Sequence, residues 1–131
     1  MKTGSCLCGD VRFELRGPLD GVIACHCTQC RKQTGHHWAS THTADADLHM
    51  VSDRSLKWYR SSGEAQRGFC GRCGSSLFWK RDGQAVTSVC AGAIDGASGL
   101  HLAGHIFVAD KGDYYSLGDP ESRGEYQKAA Y

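Results

Sequence analysis

Hydrophobic and polar residues alternate along much of this chain, and the alternation predicts β-strands. Val11, Phe13 and Leu15 are separated by charged residues, which is the pattern of a strand with one buried face. The same reasoning predicts further strands at residues 21–24, 48–51, 56–60, 65–69, 76–80, 84–90 and 105–109. Asp82-Gly83 is a strong signal for a two-residue hairpin between two of these strands.

One short helix is expected among these strands. Residues Thr28–Thr34 are long enough for about two turns. Thr28 is a candidate N-cap, and Gly35 is a candidate C-terminal stop. A chain of 131 residues suits one domain. The predicted fold class is therefore mainly β, with one short helix.

Charge and hydropathy exclude several classes of partner. The chain carries 15 Lys and Arg against 14 Asp and Glu, a formal net charge of +1, so no nucleic acid or acidic membrane is expected to bind by bulk attraction. No apolar run approaches the ~20 residues of a spanning helix. No signal peptide is recognised at the start, so a cytoplasmic location with reduced thiols is expected. Under those conditions 8 Cys indicate metal binding before disulfides.

Seven of the cysteines fall into three tight groups. The groups are Cys6 and Cys8, then Cys25, Cys27 and Cys30, then Cys70 and Cys73. The third group has the form of a zinc knuckle, in which two thiols three positions apart point at one ion and glycines relieve the turn. A redox pair is the alternative for a Cys-x-x-Cys sequence. The remaining Cys90, at a strand end, is expected to be a buried free thiol.

A closed structural zinc site needs four ligands, so the knuckle of Cys70 and Cys73 requires a second pair of thiols. The allocation that uses all seven thiols makes a quartet and a trio. The quartet is Cys6, Cys8, Cys70 and Cys73, and the trio is Cys25, Cys27 and Cys30. The other allocation joins the knuckle to two members of the middle group and leaves the first pair without partners. Three ligands with one open position are typical of a catalytic or ligand-binding zinc, so two zinc ions per chain are predicted.

Polar residues that follow the trio are candidates for chemistry. His36 and His37 are candidate catalytic residues, because either can shuttle a proton or close the open position of the second site. The alternative for each is a partly exposed loop histidine. Arg31 and Lys32 are candidates to offset the charge of the thiolates, or else are solvated helix residues.

Four motifs in order resemble a known family. They are Gly4-x-Cys6-x-Cys8-Gly9, Cys25-His26-Cys27-x-x-Cys30-Arg31-Lys32, Phe69-Cys70-x-x-Cys73-Gly74 and His105-Ile106-Phe107-Val108. Together they resemble the glutathione-dependent formaldehyde-activating enzymes, a family that includes the centromere protein V domain. The resemblance covers residues 3–118, which are expected to form a single zinc-binding domain, with residues 119–131 as a C-terminal tail.

The resemblance implies a fold and an activity. The fold is the Mss4-like β-tent with its zinc-knuckle hairpin, the quartet holding a structural zinc and the trio a catalytic zinc. The implied reaction is carbon–sulfur lyase chemistry on the adduct of formaldehyde, or a related small aldehyde, with glutathione or a similar small thiol. A non-enzymatic zinc-stabilised binding module is the alternative. A methionine sulfoxide reductase is a third option, for which Cys90 is a poor candidate.

Overall fold

The computed structural model describes residues 1–118, and ten strands in that range form two sheets. The strands are β1 (Lys2–Ser5), β2 (Val11–Leu15), β3 (Val22–Cys25), β4 (Trp38–Ala44), β5 (Leu48–Asp53), β6 (Leu56–Arg60), β7 (Ala65–Cys70), β8 (Ser76–Arg81), β9 (Val86–Cys90) and β10 (Leu102–Ile106). The small sheet has the order β1-β2-β5, and the large sheet has the order β10-β3-β4-β9-β8-β7-β6. The mainly β prediction is confirmed. The tail predicted at 119–131 lies outside the described residues.

The single α-helix among the described residues, α1 (Thr28–Thr34), has the predicted bounds. Its N-cap is Cys27 rather than the predicted Thr28, because the Cys27 sulfur accepts the Cys30 backbone N–H at 3.3 Å. Gly35 ends the helix in the left-handed conformation, as predicted, with φ of 85°. Within residues 1–118 no helix combines the length and the hydropathy needed to cross a membrane.

The strand predicted at residues 105–109 is wrong at both ends. β10 begins at Leu102 and ends at Ile106. Phe107 has φ of 53°, which breaks the extended conformation and starts a 3-10 turn at Val108–Asp110. β10 pairs in parallel with β3, so His105 and Ile106 lie beside Ala24 and Cys25. This pairing brings a late segment of the chain to the start of the trio.

The main core joins the two sheets. Phe13 of β2 and Phe78 of β8 are each 1% exposed, and their rings meet edge to face with centroids 5.2 Å apart. Leu15, Leu77 and Val89 are buried in the same cluster. A second cluster contains Cys25 and Cys30 of the trio with Trp38 and Ile106. The trio therefore has its own apolar surroundings, separate from the main core.

A substitution at Gly4 of β1 would test how tightly the small sheet is packed. A Cβ at this position would lie 2.4 Å from the Phe13 ring and 2.7 Å from the backbone oxygen of Ala93. The backbone oxygen has little freedom to move, so Gly4→Ala is expected to lower the free energy of unfolding by about 1–3 kcal/mol. Urea denaturation measures the change.

Gly63→Ala is the matched control, because nothing lies within 4 Å of a Cβ built there. It is expected to change the free energy of unfolding by no more than about 0.5 kcal/mol. Equal effects of the two substitutions would contradict the close packing of Gly4 against Phe13.

Candidate functional site

The quartet connects the two sheets. Cys6 and Cys8 follow β1 in the small sheet, whereas Cys70 ends β7 and Cys73 lies in the turn before β8 of the large sheet. The four sulfurs all lie within 4.8 Å of one another, although Cys8 and Cys70 are 62 residues apart in sequence. The fold thus brings together the four thiols that were assigned to the quartet from the sequence. This group can hold a metal ion.

The sulfur geometry of the quartet fits tetrahedral coordination. Zinc–sulfur bonds of about 2.3 Å place tetrahedral sulfurs about 3.8 Å apart. The sulfur of Cys8 lies 3.6 Å from that of Cys6 and 3.7 Å from that of Cys70. Hydrogen bonds from the Ser75 hydroxyl and backbone N–H lower the pKa of Cys73 to about 5, which favours the thiolate that a metal requires.

Asp10 connects the knuckle to a neighbouring turn through hydrogen bonds. This carboxylate is 8% exposed and accepts hydrogen bonds from Ser55 at 2.8 Å, from Arg72 at 3.2 Å and from Arg54 at 3.3 Å. The Ser55 hydrogen bond and the two guanidinium groups hold the pKa of Asp10 below its ordinary value. Arg72 lies between Cys70 and Cys73, so Asp10 ties the knuckle to the turn between β5 and β6.

The trio is assembled from the end of β3 and the start of α1. Cys25 ends the strand, Cys27 caps the helix and Cys30 lies in its first turn. The three sulfurs lie within 4.8 Å of one another, and no His, Asp or Glu of residues 1–118 joins them. This group can therefore also hold a metal ion, with three ligands from the described chain.

Sulfur–sulfur hydrogen bonds divide the protons of the trio unequally. Those from Cys25 and Cys30 lower the pKa of Cys27 to about 2. The hydrogen bond to Cys27, the one to Cys30 and burial raise the pKa of Cys25. These contacts therefore favour the thiolate form of Cys27 over that of Cys25. A metal ion would displace the remaining protons, because thiolates are the ligands.

A cavity of about 420 Å³ opens beside the trio. All three sulfur-bearing residues line it, and Trp38, Trp79, Ile106 and Phe107 form much of its apolar wall. Polar and charged lining residues are Thr28, Gln29, Ser62, Arg67, Arg81 and Asp110. The trio thus faces a space large enough for a small substrate, whereas the quartet does not border this cavity.

A cluster of six aromatic rings lies beside the backbone of the trio. Its members are His26, His36, His37, His105, Tyr114 and Tyr115. The His26 side chain is fully buried, with Nδ1 2.6 Å from the Tyr115 hydroxyl and Nε2 2.9 Å from Nδ1 of His105. Burial, followed by the charges of neighbouring histidines, lowers the pKa of His26 to about 4. The His26 ring is therefore neutral near pH 7 and holds the chain of β10 against that of β3.

The predicted catalytic histidines belong to this cluster. Nδ1 of exposed His36 lies 2.7 Å from the Tyr114 hydroxyl, and the His37 ring lies 5.1 Å from that of His26. Neither histidine lines the 420 Å³ cavity, although His37 lines a second cavity of about 720 Å³. Their catalytic role stays a prediction.

Cys90 is a free thiol that belongs to neither sulfur group. It is half-buried rather than fully buried as expected, and it lines the second cavity with His37. Burial raises the pKa of the Cys90 thiol. This makes it a weak nucleophile near neutral pH.

The sequence offered Arg31 and Lys32 as the cations beside the trio, but the described cation that contacts a trio sulfur is Arg67. Arg31 instead donates from Nε to the backbone oxygen of Asp110 at 2.7 Å, and Lys32 is exposed. Arg67 of β7 is 5% exposed, and its two terminal nitrogens each lie 3.6 Å from the Cys30 sulfur. The alternation of Arg67 with buried Ala65 in the strand was the signal that could have found it.

A family model described as glutathione-dependent formaldehyde-activating enzyme matches residues 1–110. The chain belongs to this family. A Halomonas elongata protein named as a glutathione-dependent formaldehyde-activating enzyme is 35% identical over 83 residues. That match covers 57% of this chain and 53% of the relative, so it spans about half of the relative's length.

Two further proteins resemble most of the chain. An uncharacterized lyase of Schizosaccharomyces pombe is 23% identical over 124 residues, which cover 91% of this chain and 87% of the relative. The crystal structure of a Rhodobacter sphaeroides protein superposes with a TM-score of 0.62 at 26% identity. The superposition covers 72% of this chain and 89% of the Rhodobacter sphaeroides chain. The family and the mainly β fold therefore agree with the resemblance noted in the sequence.

Proposed function

We propose that this protein is a zinc-dependent enzyme of the carbon–sulfur lyase type. Its substrate would be the adduct of a small thiol such as glutathione with formaldehyde or a related small aldehyde. The observation that carries the proposal is the trio: three clustered sulfurs, with no fourth ligand from residues 1–118, facing a cavity of about 420 Å³. A closed site with four protein ligands would instead favour a purely structural role.

The donor chemistry of both groups fits zinc. Every ligand is a thiol, all eight cysteines are free, and thiolates favour zinc over harder ions such as magnesium. The quartet would hold a structural zinc and the trio a catalytic one. When bound at the trio, zinc would supply the Lewis acidity that keeps a thiol sulfur deprotonated at neutral pH. We propose a cytoplasmic location, where thiols stay reduced.

The cavity provides the remaining features that the reaction requires. Trp38, Trp79 and Phe107 give the cavity an apolar wall, which would limit the access of water to the reacting atoms. Arg81 and Asp110 offer opposite charges to a thiol that carries both carboxylate and ammonium groups, as glutathione does. The sulfur lone pair forms the new bond to the carbonyl carbon, the carbonyl π electrons move to oxygen, and a proton completes the hydroxyl group. The reverse sequence breaks the carbon–sulfur bond and releases the aldehyde and the thiol.

The proposal is tested by metal analysis together with a rate assay. The purified, reduced protein is expected to hold two zinc ions per chain and to accelerate the addition of glutathione to formaldehyde above its spontaneous rate. A chelator that removes one zinc is expected to abolish the acceleration, and added zinc to restore it. Two bound zinc ions without acceleration for any small thiol and aldehyde would favour the binding module instead.

We propose that His36 or His37 supplies the proton for the new hydroxyl group through a relay, since neither ring lines the 420 Å³ cavity. A positioned proton donor contributes about 10²–10⁴-fold in rate, so His36→Asn or His37→Asn is expected to lower kcat by at least about 100-fold. His49→Asn is the control, because His49 is exposed on β5. If kcat of both variants stays within tenfold of that of the unmodified protein, the proton comes from another group.

A further inference from the structure

Arg67 is a buried cation whose side-chain hydrogen bonds, within residues 1–118, all go to α1. Its Nη1 and Nη2 each lie 3.6 Å from the Cys30 sulfur. Nη1 also donates to the side-chain oxygen of Gln33 at 3.0 Å, and Nη2 donates to that of Gln29 at 3.3 Å. The guanidinium thus contacts Gln29, Cys30 and Gln33, and Gln33 is a helix-surface neighbour of the other two because it lies four and three positions after them.

Arg67 has no carboxylate partner among the residues that the structure describes. Within residues 1–118 no Asp or Glu oxygen lies within ion-pair distance of it, and its buried Nε has no hydrogen-bond partner. A guanidinium remains protonated even when it is buried, so it needs a negative neighbour. The two glutamine amides are neutral. Among the hydrogen-bond partners of Arg67 in the described chain, the Cys30 sulfur is therefore the one that can carry a balancing charge.

The two sulfur groups differ in this respect. Three thiolates around a divalent ion sum to −1, which one Arg67 neutralises. Four thiolates sum to −2, and the quartet's sulfurs have neutral partners among the described residues: Val11 N–H donates to Cys6 at 3.3 Å, Cys73 N–H donates to Cys70 at 3.4 Å, and the Ser75 hydroxyl lies 3.3 Å from the Cys73 sulfur. Within the described part of the chain, the arginine next to the quartet, Arg72, contacts Asp10 rather than a sulfur.

We infer that Arg67 is the positioning residue of the trio. Its paired N–H groups hold the Cys30 sulfur in place, and its charge balances the three thiolates, so that the trio retains a metal without a fourth protein ligand. This inference rests on the proposed function, because it requires a metal at the trio. It adds a role for a residue that is 37 positions from Cys30 in sequence and is not itself a ligand.

The test compares metal affinity at the trio in three variants. Arg67→Met removes the charge and the donors, Arg67→Lys keeps the charge with a different donor geometry, and Arg60→Met is the matched control. Arg60 lies on the adjacent strand and its two N–H groups bind Asp82 at the surface, so this control also removes an arginine with two hydrogen bonds. Each folded variant is titrated with a chromophoric chelator, and the weaker of the two zinc sites is measured.

Loss of a residue that orients a metal ligand typically weakens metal binding about 10–100-fold. Arg67→Met is expected to lower the affinity of the trio for zinc by at least tenfold. Arg67→Lys is expected to lower it by less, and Arg60→Met by less than twofold. The first zinc should be unchanged in all three. A zinc affinity of Arg67→Met within twofold of that of the unmodified protein would overturn the inference. If Arg67→Met does not fold, Arg67→Lys decides: at least threefold weaker binding supports the inference, and equal binding overturns it.

A spectroscopic signature separates this role from general stabilisation. Cobalt replaces zinc at the trio after the chelator has emptied that site. Hydrogen bonds stabilise the sulfur lone pairs, so Arg67→Met is expected to move the sulfur-to-cobalt charge-transfer band to longer wavelength, whereas Arg60→Met leaves it in place. An unchanged band in Arg67→Met would overturn the inference. If the unmodified protein binds only one metal, the proposed function fails; two metals that are insensitive to Arg67 contradict this inference alone.

Discussion

Cys27→Ser is expected to remove the metal from the trio and leave the fold intact. Serine stays protonated at neutral pH and is a poor ligand for a thiophilic ion. Cys27 is half-buried at the helix cap, outside the main core. Metal analysis should therefore fall from two zinc ions per chain to one. Metal catalysis contributes several kcal/mol, so the catalysed rate of adduct formation should fall about a thousandfold.

Cys90→Ser is the matched control for this experiment. Cys90 is also a half-buried free thiol, but it belongs to neither sulfur group and lines the other cavity. This variant should keep two zinc ions and the full rate. Undiminished adduct formation by Cys27→Ser with one zinc would exclude the trio as the centre of the reaction.

Local sequence signals predicted the elements whose residues alternate or carry caps. The bounds of α1 were correct because Gly35 stops the helix by a backbone preference that is independent of the rest of the fold. β4 was missed, because its buried positions include Ser40, Thr41 and Thr43, which do not stand out as apolar. Thr41 is accommodated there by donating to the backbone oxygen of Asp20 at 2.6 Å. Such burial depends on tertiary partners that periodicity does not reveal.

The grouping of the sulfurs could be predicted further than the contacts around them. Spacing identifies half-sites such as Cys70 and Cys73, and counting the thiols pairs them with Cys6 and Cys8. The fold brings the same four together. Arg67 could not be paired with Cys30 in this way, because their contact depends on how β7 packs against α1. Charge near a motif in sequence, as at Arg31, was a poor guide to charge near it in space.

Cys73→Ser is expected to prevent stable folding, in contrast to Cys27→Ser. The quartet joins the small sheet to the large one, so a metal bound there would stabilise the contact between them. A structural zinc contributes on the order of 10 kcal/mol, which is comparable to the whole free energy of unfolding of a small domain, about 5–15 kcal/mol. The variant should lose cooperative thermal unfolding, and near-UV circular dichroism should show disordered aromatic packing around Phe13 and Phe78.

The pair Cys73→Ser and Cys27→Ser separates the two roles, because both replace a half-buried thiol with a hydroxyl. If both groups were structural, the two variants would unfold alike. If both were dispensable for folding, each would retain one zinc and a cooperative transition. The expected result is asymmetric: Cys73→Ser loses both metals together with the fold, since the trio needs the packing of β3, α1 and β7 to stay assembled. A Cys73→Ser protein that unfolds cooperatively within about 1 kcal/mol of the unmodified chain would contradict the structural role of the quartet.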